Sequence, residues 1–219
     1  MKFLLIGILT ILSFVKLYSQ DLNWWQLRDQ QQNHFIAAKF SADYATVVGV
    51  SYGQRLPGKV FTFLAADFSS PFGKDLLDDW KIRLSIQREL WHSGHLSFGV
   101  KPGLIIRRFD SNIARLFNTG LDLTATLGYY GVKWTLAADA QYDQTLMTNV
   151  KHHSLQEFYP GIYNGWIGIT GGNFKFGGQV AYYFGGNVVS LKLGKAFAKN
   201  FQDNPTLPFY FDLGFVKMW

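Results

Sequence analysis

The sequence predicts an all-β fold: a transmembrane antiparallel up-and-down β-barrel of twelve strands, with ten or eight as the alternatives. Three observations carry this. The chain closes on an alternating, aromatic-rich strand, Phe209-Tyr210-Phe211-Asp212-Leu213-Gly214-Phe215-Val216-Lys217-Met218-Trp219, and a strand that must leave no open edge in hydrocarbon has reason to be apolar to its last residue. Runs of period-two alternation, each close to the ~10 residues that cross a bilayer when tilted, recur between turn signals. No apolar run of ~18 residues occurs in residues 20–219, so no spanning helix is expected.

Residues 1–20 read as a secretory signal peptide, with Lys2 as the positive n-region, an uncharged run over residues 3–15 and Ser19 as the small residue before cleavage. Residues 21–32 form a short periplasmic or interfacial segment whose Trp24-Trp25 pair suits headgroup depth. The barrel follows at residues 33–219. There is no cysteine, so disulfides and anchoring through a lipidated cysteine are excluded. The formal charge is +6; without Lys2 and Lys16, 19 basic and 15 acidic residues leave +4. That mild, dispersed excess favours anionic lipid and lipopolysaccharide as contacts and gives no nucleic-acid footprint.

The elements follow in order. Residues 35–42, 45–56 and 60–68 are the first three strands, the third with an ambiguous face. Residues 80–90 alternate most clearly: Trp80, Ile82, Leu84 and Ile86 against Lys81, Arg83, Ser85 and Gln87. Residues 96–106 repeat the pattern across Pro102, where a local break in pairing is expected because proline has no N–H to donate. Residues 121–129, 132–142, 174–184 and 189–193 continue it. Short turns at Leu56-Pro57-Gly58, His92-Ser93-Gly94-His95 and Tyr130-Gly131 alternate with longer connections, which puts short turns at one rim and long loops at the other. Counting runs gives eleven; taking Tyr159-Pro160-Gly161 as one more short-rim turn splits residues 145–170 into two strands and gives twelve.

With these elements in place, the chain resembles bacterial (Gram-negative) outer-membrane β-barrel proteins. Its terminal strand is similar to the signal by which such barrels are recognised and inserted, with Asp212, Gly214 and Trp219 in register and Lys217 departing from the pattern. The resemblance implies the cell outer membrane and the barrel-assembly machinery as a partner, and no cofactor.

The inward faces place Lys81, Arg83, Lys101, Arg107, Lys133, Lys175 and Lys192 in the lumen with Glu89, Asp122, Asp139 and Asp212. A basic excess in a confined tube favours anions. The expected function is therefore a small porin-like channel for anionic solutes. Its alternative is a non-catalytic accessory barrel whose lumen charges pair into a plug. A lipid A-modifying hydrolase is the third reading: His152-x-Ser154 looks like the His-x-Ser of lipid A 3-O-deacylases, with Glu157 as the nearby carboxylate, although Leu155 replaces the family's asparagine. His92 and His95, three apart in a turn, lack a local acidic or cysteine partner for a metal.

Overall fold

The computed structural model describes residues 23, 32–42, 46–71, 78–154, 158–159, 161–169, 171–198 and 208–219; the expected signal peptide, Trp24-Trp25 and Glu157 lie outside these. Eleven strands run β1 (His34–Ala42), β2 (Thr46–Leu56), β3 (Thr62–Pro71), β4 (Asp79–Ser93), β5 (Leu96–Asp110), β6 (Ala114–Tyr130), β7 (Trp134–His152), β8 (Gly165–Ile167), β9 (Gly172–Phe184), β10 (Asn187–Ala198) and β11 (Phe209–Met218). Ten of them, all but β8, form a closed antiparallel up-and-down barrel. Closure is made by β1 on β11, from Phe35 opposite Met218 to Ala42 opposite Phe211. Past that ladder, His34 and Trp219 exchange both backbone hydrogen bonds.

Period-two alternation becomes an inside-out solid. Along β4 the residues Lys81, Arg83, Ser85, Gln87 and Glu89 are buried, while Leu84, Ile86 and Leu90 are exposed. The same inversion holds around the ring: Leu136 is 66 % exposed and Lys192 is 4 % exposed. The ambiguous face of β3 is settled, with Phe63, Ala65, Asp67 and Ser69 inside and Leu64 outside. Near the short-turn rim the outer face carries aromatic pairs, among them Trp134 with Tyr182 and His34 stacked between Tyr52 and Trp219.

The barrel has ten strands, one of the expected alternatives to twelve, and the reason lies in residues 145–170. β7 does not break there. It follows β6 to His152, taking up one extra residue, Leu146, where the register shifts opposite Thr119 and Gly120. β8 and β9 then share the other edge of β7: Ile167 lies opposite Thr148 and Gly172 opposite Gln144. The stretch from Thr148 onward is polar because it stands beyond the band of exposed apolar side chains. Tyr159 belongs to a turn at the long-loop rim, where its carbonyl accepts the Ile162 N–H.

At Pro102 the partner on one side is intact, Leu123 of β6. On the other side the β4–β5 pairing is interrupted between Ser85–Gly103 and Arg88–Val100, beside a residue without an N–H, and the register itself shifts only past Glu89.

Candidate functional site

The lumen is the place where chemistry-bearing side chains gather, and it has two storeys. At the short-turn end it is floored by an apolar cluster that includes Phe35, Phe61, Phe63, Val188, Val216 and Met218. The rings of Phe35 and Phe63 meet at 4.9 Å between centroids. Asn23, which precedes β1, is buried within this floor: its Nδ2 donates to the Tyr130 hydroxyl at 3.0 Å and its Oδ1 accepts from Gln87 Nε2 at 2.9 Å. Asn23 thus lies inside the barrel. Nothing in the sequence signals this, because a lone asparagine between Leu22 and Trp24 carries no pattern.

Above the floor the lumen is ionic. Lys39 meets Asp67 at 2.7 Å, Lys192 meets Asp139 at 2.9 Å, Lys175 meets Asp143 at 3.2 Å and Arg83 meets Asp122 at 3.4 Å. Arg107 grips Asp79 with both Nε (2.9 Å) and Nη2 (2.6 Å), the planar fork that matches a carboxylate. Neutral donors add to the carboxylates: Ser51 to Asp67, Thr126 to Asp139 at 2.6 Å, Gln141 to Asp122 at 3.1 Å and, beside Phe61 of the floor, Ser97 to Glu89 at 2.5 Å.

Room for these groups comes from inward glycines. Tyr210 lies across β10 and β9, and a Cβ on either Gly194 or Gly177 would collide with its ring or hydroxyl. In register these residues form one row, Asp139–Gly177–Gly194–Tyr210, running over four strands. Gly103 similarly leaves space for the Asp122 carboxyl.

Of the residues placed in the lumen by alternation, Lys81, Arg83, Lys101, Asp139, Lys175 and Lys192 are buried, and Arg107 is half-buried on Asp79. Lys133 is a correction. It is exposed in the turn before β7, which begins at Trp134, and Val132 beside it is 85 % exposed. The basic excess is corrected as well. Among the described residues the buried cations Lys39, Lys81, Arg83, Lys101, Lys175 and Lys192 are six, and the buried carboxylates Asp67, Asp79, Glu89, Asp122, Asp139 and Asp212 are also six. Alternation missed Lys39 and Asp67 because the faces of β1 and β3 were unassigned, and Asp79 because it stands at a strand's edge. Of the terminal-strand residues, Asp212 is buried in the lumen, Gly214 lies opposite Lys39 and Ser190, and Trp219 is 54 % exposed outside.

The His152–Ser154 pair sits at the long-loop rim. The His152 ring contacts the Asn164 side-chain oxygen at 3.1 Å, and the Ser154 hydroxyl donates to the Asn112 carbonyl at 2.9 Å, so each is held by a different residue. Glu157 lies outside the described residues. At the other rim His95 contacts the Tyr130 carbonyl, and His92 lies 3.5 Å from Glu89. Among the described residues no three His, Asp or Glu side chains gather as a metal site. At the long-loop rim the Asp110 carboxyl is held below the usual carboxylate range, chiefly by the Arg108 hydrogen bond, with Arg115 and His153 adding to it.

No protein-family model matches the chain, and no curated protein matches it. The fold and the lumen define its class, a closed up-and-down barrel with a polar interior and an apolar exterior.

Proposed function

We propose that this chain is an outer-membrane barrel that does not conduct, serving as a structural or accessory barrel and not as a porin. The membrane reading is supported by the exposed apolar side chains that ring the barrel. Water would leave that surface unfavourable at about 25 cal/mol per Å², whereas hydrocarbon covers it. The observation that favours the closed reading is the interior: among the described residues six buried cations face six buried carboxylates, with Lys39–Asp67, Arg83–Asp122 and Lys192–Asp139 paired, and an apolar floor lies at the short-turn end, where Asn23 is bonded. An anion path would need a wet, net-basic column, and a balanced interior with an apolar short-turn end speaks against one. An accessory role follows from what remains to the molecule: its outer face and its long-loop rim.

The test is planar-bilayer conductance of the refolded mature protein, with folding verified by a heat-dependent gel shift. A silent bilayer is expected for the natural sequence. The double variant Phe35→Ala, Phe63→Ala removes two fully buried rings from the floor and should give ion-conducting bursts. Steady, anion-preferring conductance of the natural protein would refute the closed reading and restore the channel.

A further inference from the structure

The register of β5 to β8 sorts their outward side chains into rows that change character along the barrel axis. Leu104 and Leu121 lie side by side in the apolar band. The next row outward holds Ile106, Thr119 and Met147. Then comes Arg108, Phe117, Asn149 and Trp166, and beyond it Asp110, Arg115 and Lys151. The one-residue bulge at Leu146 makes this continuous, because it turns Met147, Asn149 and Lys151 to the outside after Tyr142 has faced out below them. Apolar, then aromatic, then charged is the order of a lipid leaflet from acyl chain to headgroup.

The last rows are built as an anion site. Asp110 accepts from Arg108 Nη2 at 2.9 Å and from Arg115 Nε at 2.7 Å, and His153 Nε2 lies 3.1 Å from its other oxygen. One carboxylate thereby fixes two guanidinium groups side by side while satisfying only part of their donors. The guanidinium side chains remain 35 % and 44 % exposed. Lys151 lies directly opposite Arg115 across the β6–β7 ladder and is exposed. Three cations stand against two carboxylates, Asp110 and the exposed Asp78 whose carbonyl accepts the Asp110 N–H, and leave a local excess of one positive charge. Like charges directly opposite are unfavourable in a strand pair, and an anion between them reverses that sign.

We infer that this outward patch of Arg108, Arg115 and Lys151 binds the phosphate of a lipid headgroup in the leaflet on the long-loop side. The inference rests on the membrane-spanning reading. Arginine forks match phosphate oxygens in pairs, Trp166 and Phe117 lie at the headgroup boundary, and the rows of Leu104 and Ile106 lie against the acyl chains of the same lipid.

The probe is phosphatidic acid, a phosphomonoester lipid, at a few per cent in phosphatidylcholine nanodiscs carrying the full barrel. Lipid retained after gentle release is read by native mass spectrometry. The natural protein should retain phosphatidic acid over phosphatidylcholine. Arg115→Gln and Lys151→Gln should each reduce that preference on the order of fivefold, the loss of one charge-assisted contact. Lys151→Gln leaves the Asp110 bonds in place, so its effect cannot come from a collapsed rim. Lys59→Gln and Lys133→Gln remove the same charge from exposed positions at the opposite rim and should change nothing. Equal losses in all four variants, or no preference in the natural protein, would overturn the site while leaving the spanning barrel intact. A folded barrel that stays out of the nanodisc would overturn both.

Discussion

Replacing Asp139 with alanine tests whether the lumen is dry. Asp139 and Lys192 are almost wholly buried, with 1 % and 5 % of their side-chain surfaces exposed, and lie 2.9 Å apart. At that distance two unit charges attract by about 1.4 kcal/mol in bulk water and by about 6 kcal/mol at an effective dielectric constant of about 20. Asp139→Ala leaves the Lys192 ammonium buried without its counter-charge, a loss of about 3–5 kcal/mol, and frees the Thr126 hydroxyl at a further cost of about 1 kcal/mol. Lys192→Met in the same chain removes the stranded charge and should recover most of the loss. The coupling between the two positions should then be about 2–4 kcal/mol. The assay is urea unfolding from phosphatidylcholine vesicles, followed by tryptophan fluorescence for the natural protein, both single variants and the double variant. A coupling of about 1 kcal/mol or less would mean that water screens the pair. That result would refute the closed lumen independently of any conductance trace.

Three further outcomes follow from other parts of the barrel. Asn23→Ala removes the side-chain bonds from Asn23 to Tyr130 and Gln87, and should lower stability by about 2–3 kcal/mol, read as an earlier midpoint of the heat-dependent gel shift. Gly177→Val places side-chain carbon where the Tyr210 hydroxyl lies; it should cost about 3 kcal/mol in urea unfolding, and Tyr210→Ala in the same chain should restore part of it. At the rim, Asp110 ionises below its unfolded value because of Arg108 and its neighbours, so its contribution is whole above about pH 4 and fades as the pH falls below that. The stability difference between the natural protein and Asp110→Asn should accordingly be flat from neutral pH down to about 5 and shrink in stronger acid, measured as thermal midpoints across a pH series.

How far the sequence could be read follows from what a period of two encodes. It assigns a side chain to a face and says nothing of its height on the barrel wall or of its neighbour across the strand. Lys81, Arg83, Lys101, Lys175 and Lys192 could therefore be assigned to the inner face from alternation. Their carboxylates could not be matched to them, because Asp139 reaches Lys192 over Gly177 of an intervening strand and only the register brings the three together. Alternation also fails where the chain changes face. Leu146 is one such point, and counting through it without a bulge turns one tall strand into two.

The same limit bears on the functional reading. A charge total over inward positions treats the lumen as one compartment, and a total of seven against four looks like an anion path. The register divides it. Inward apolar residues, most of them from β1, β3, β10 and β11, come together at the short-turn end, while most of the inward ionic residues lie above them. Asp67, from the face of β3 that alternation leaves open, and Asp79 and Asp143, from the edges of the alternating runs, bring the inward charges of the described residues to balance. On the proposed closed reading, an inner wall that is polar on average is closed in two different ways along its length, by hydrophobic contact below and by ion pairing above. Each closure has its own signature under mutation: Phe35 and Phe63 should govern leakage, while Asp139 and Lys192 should govern stability.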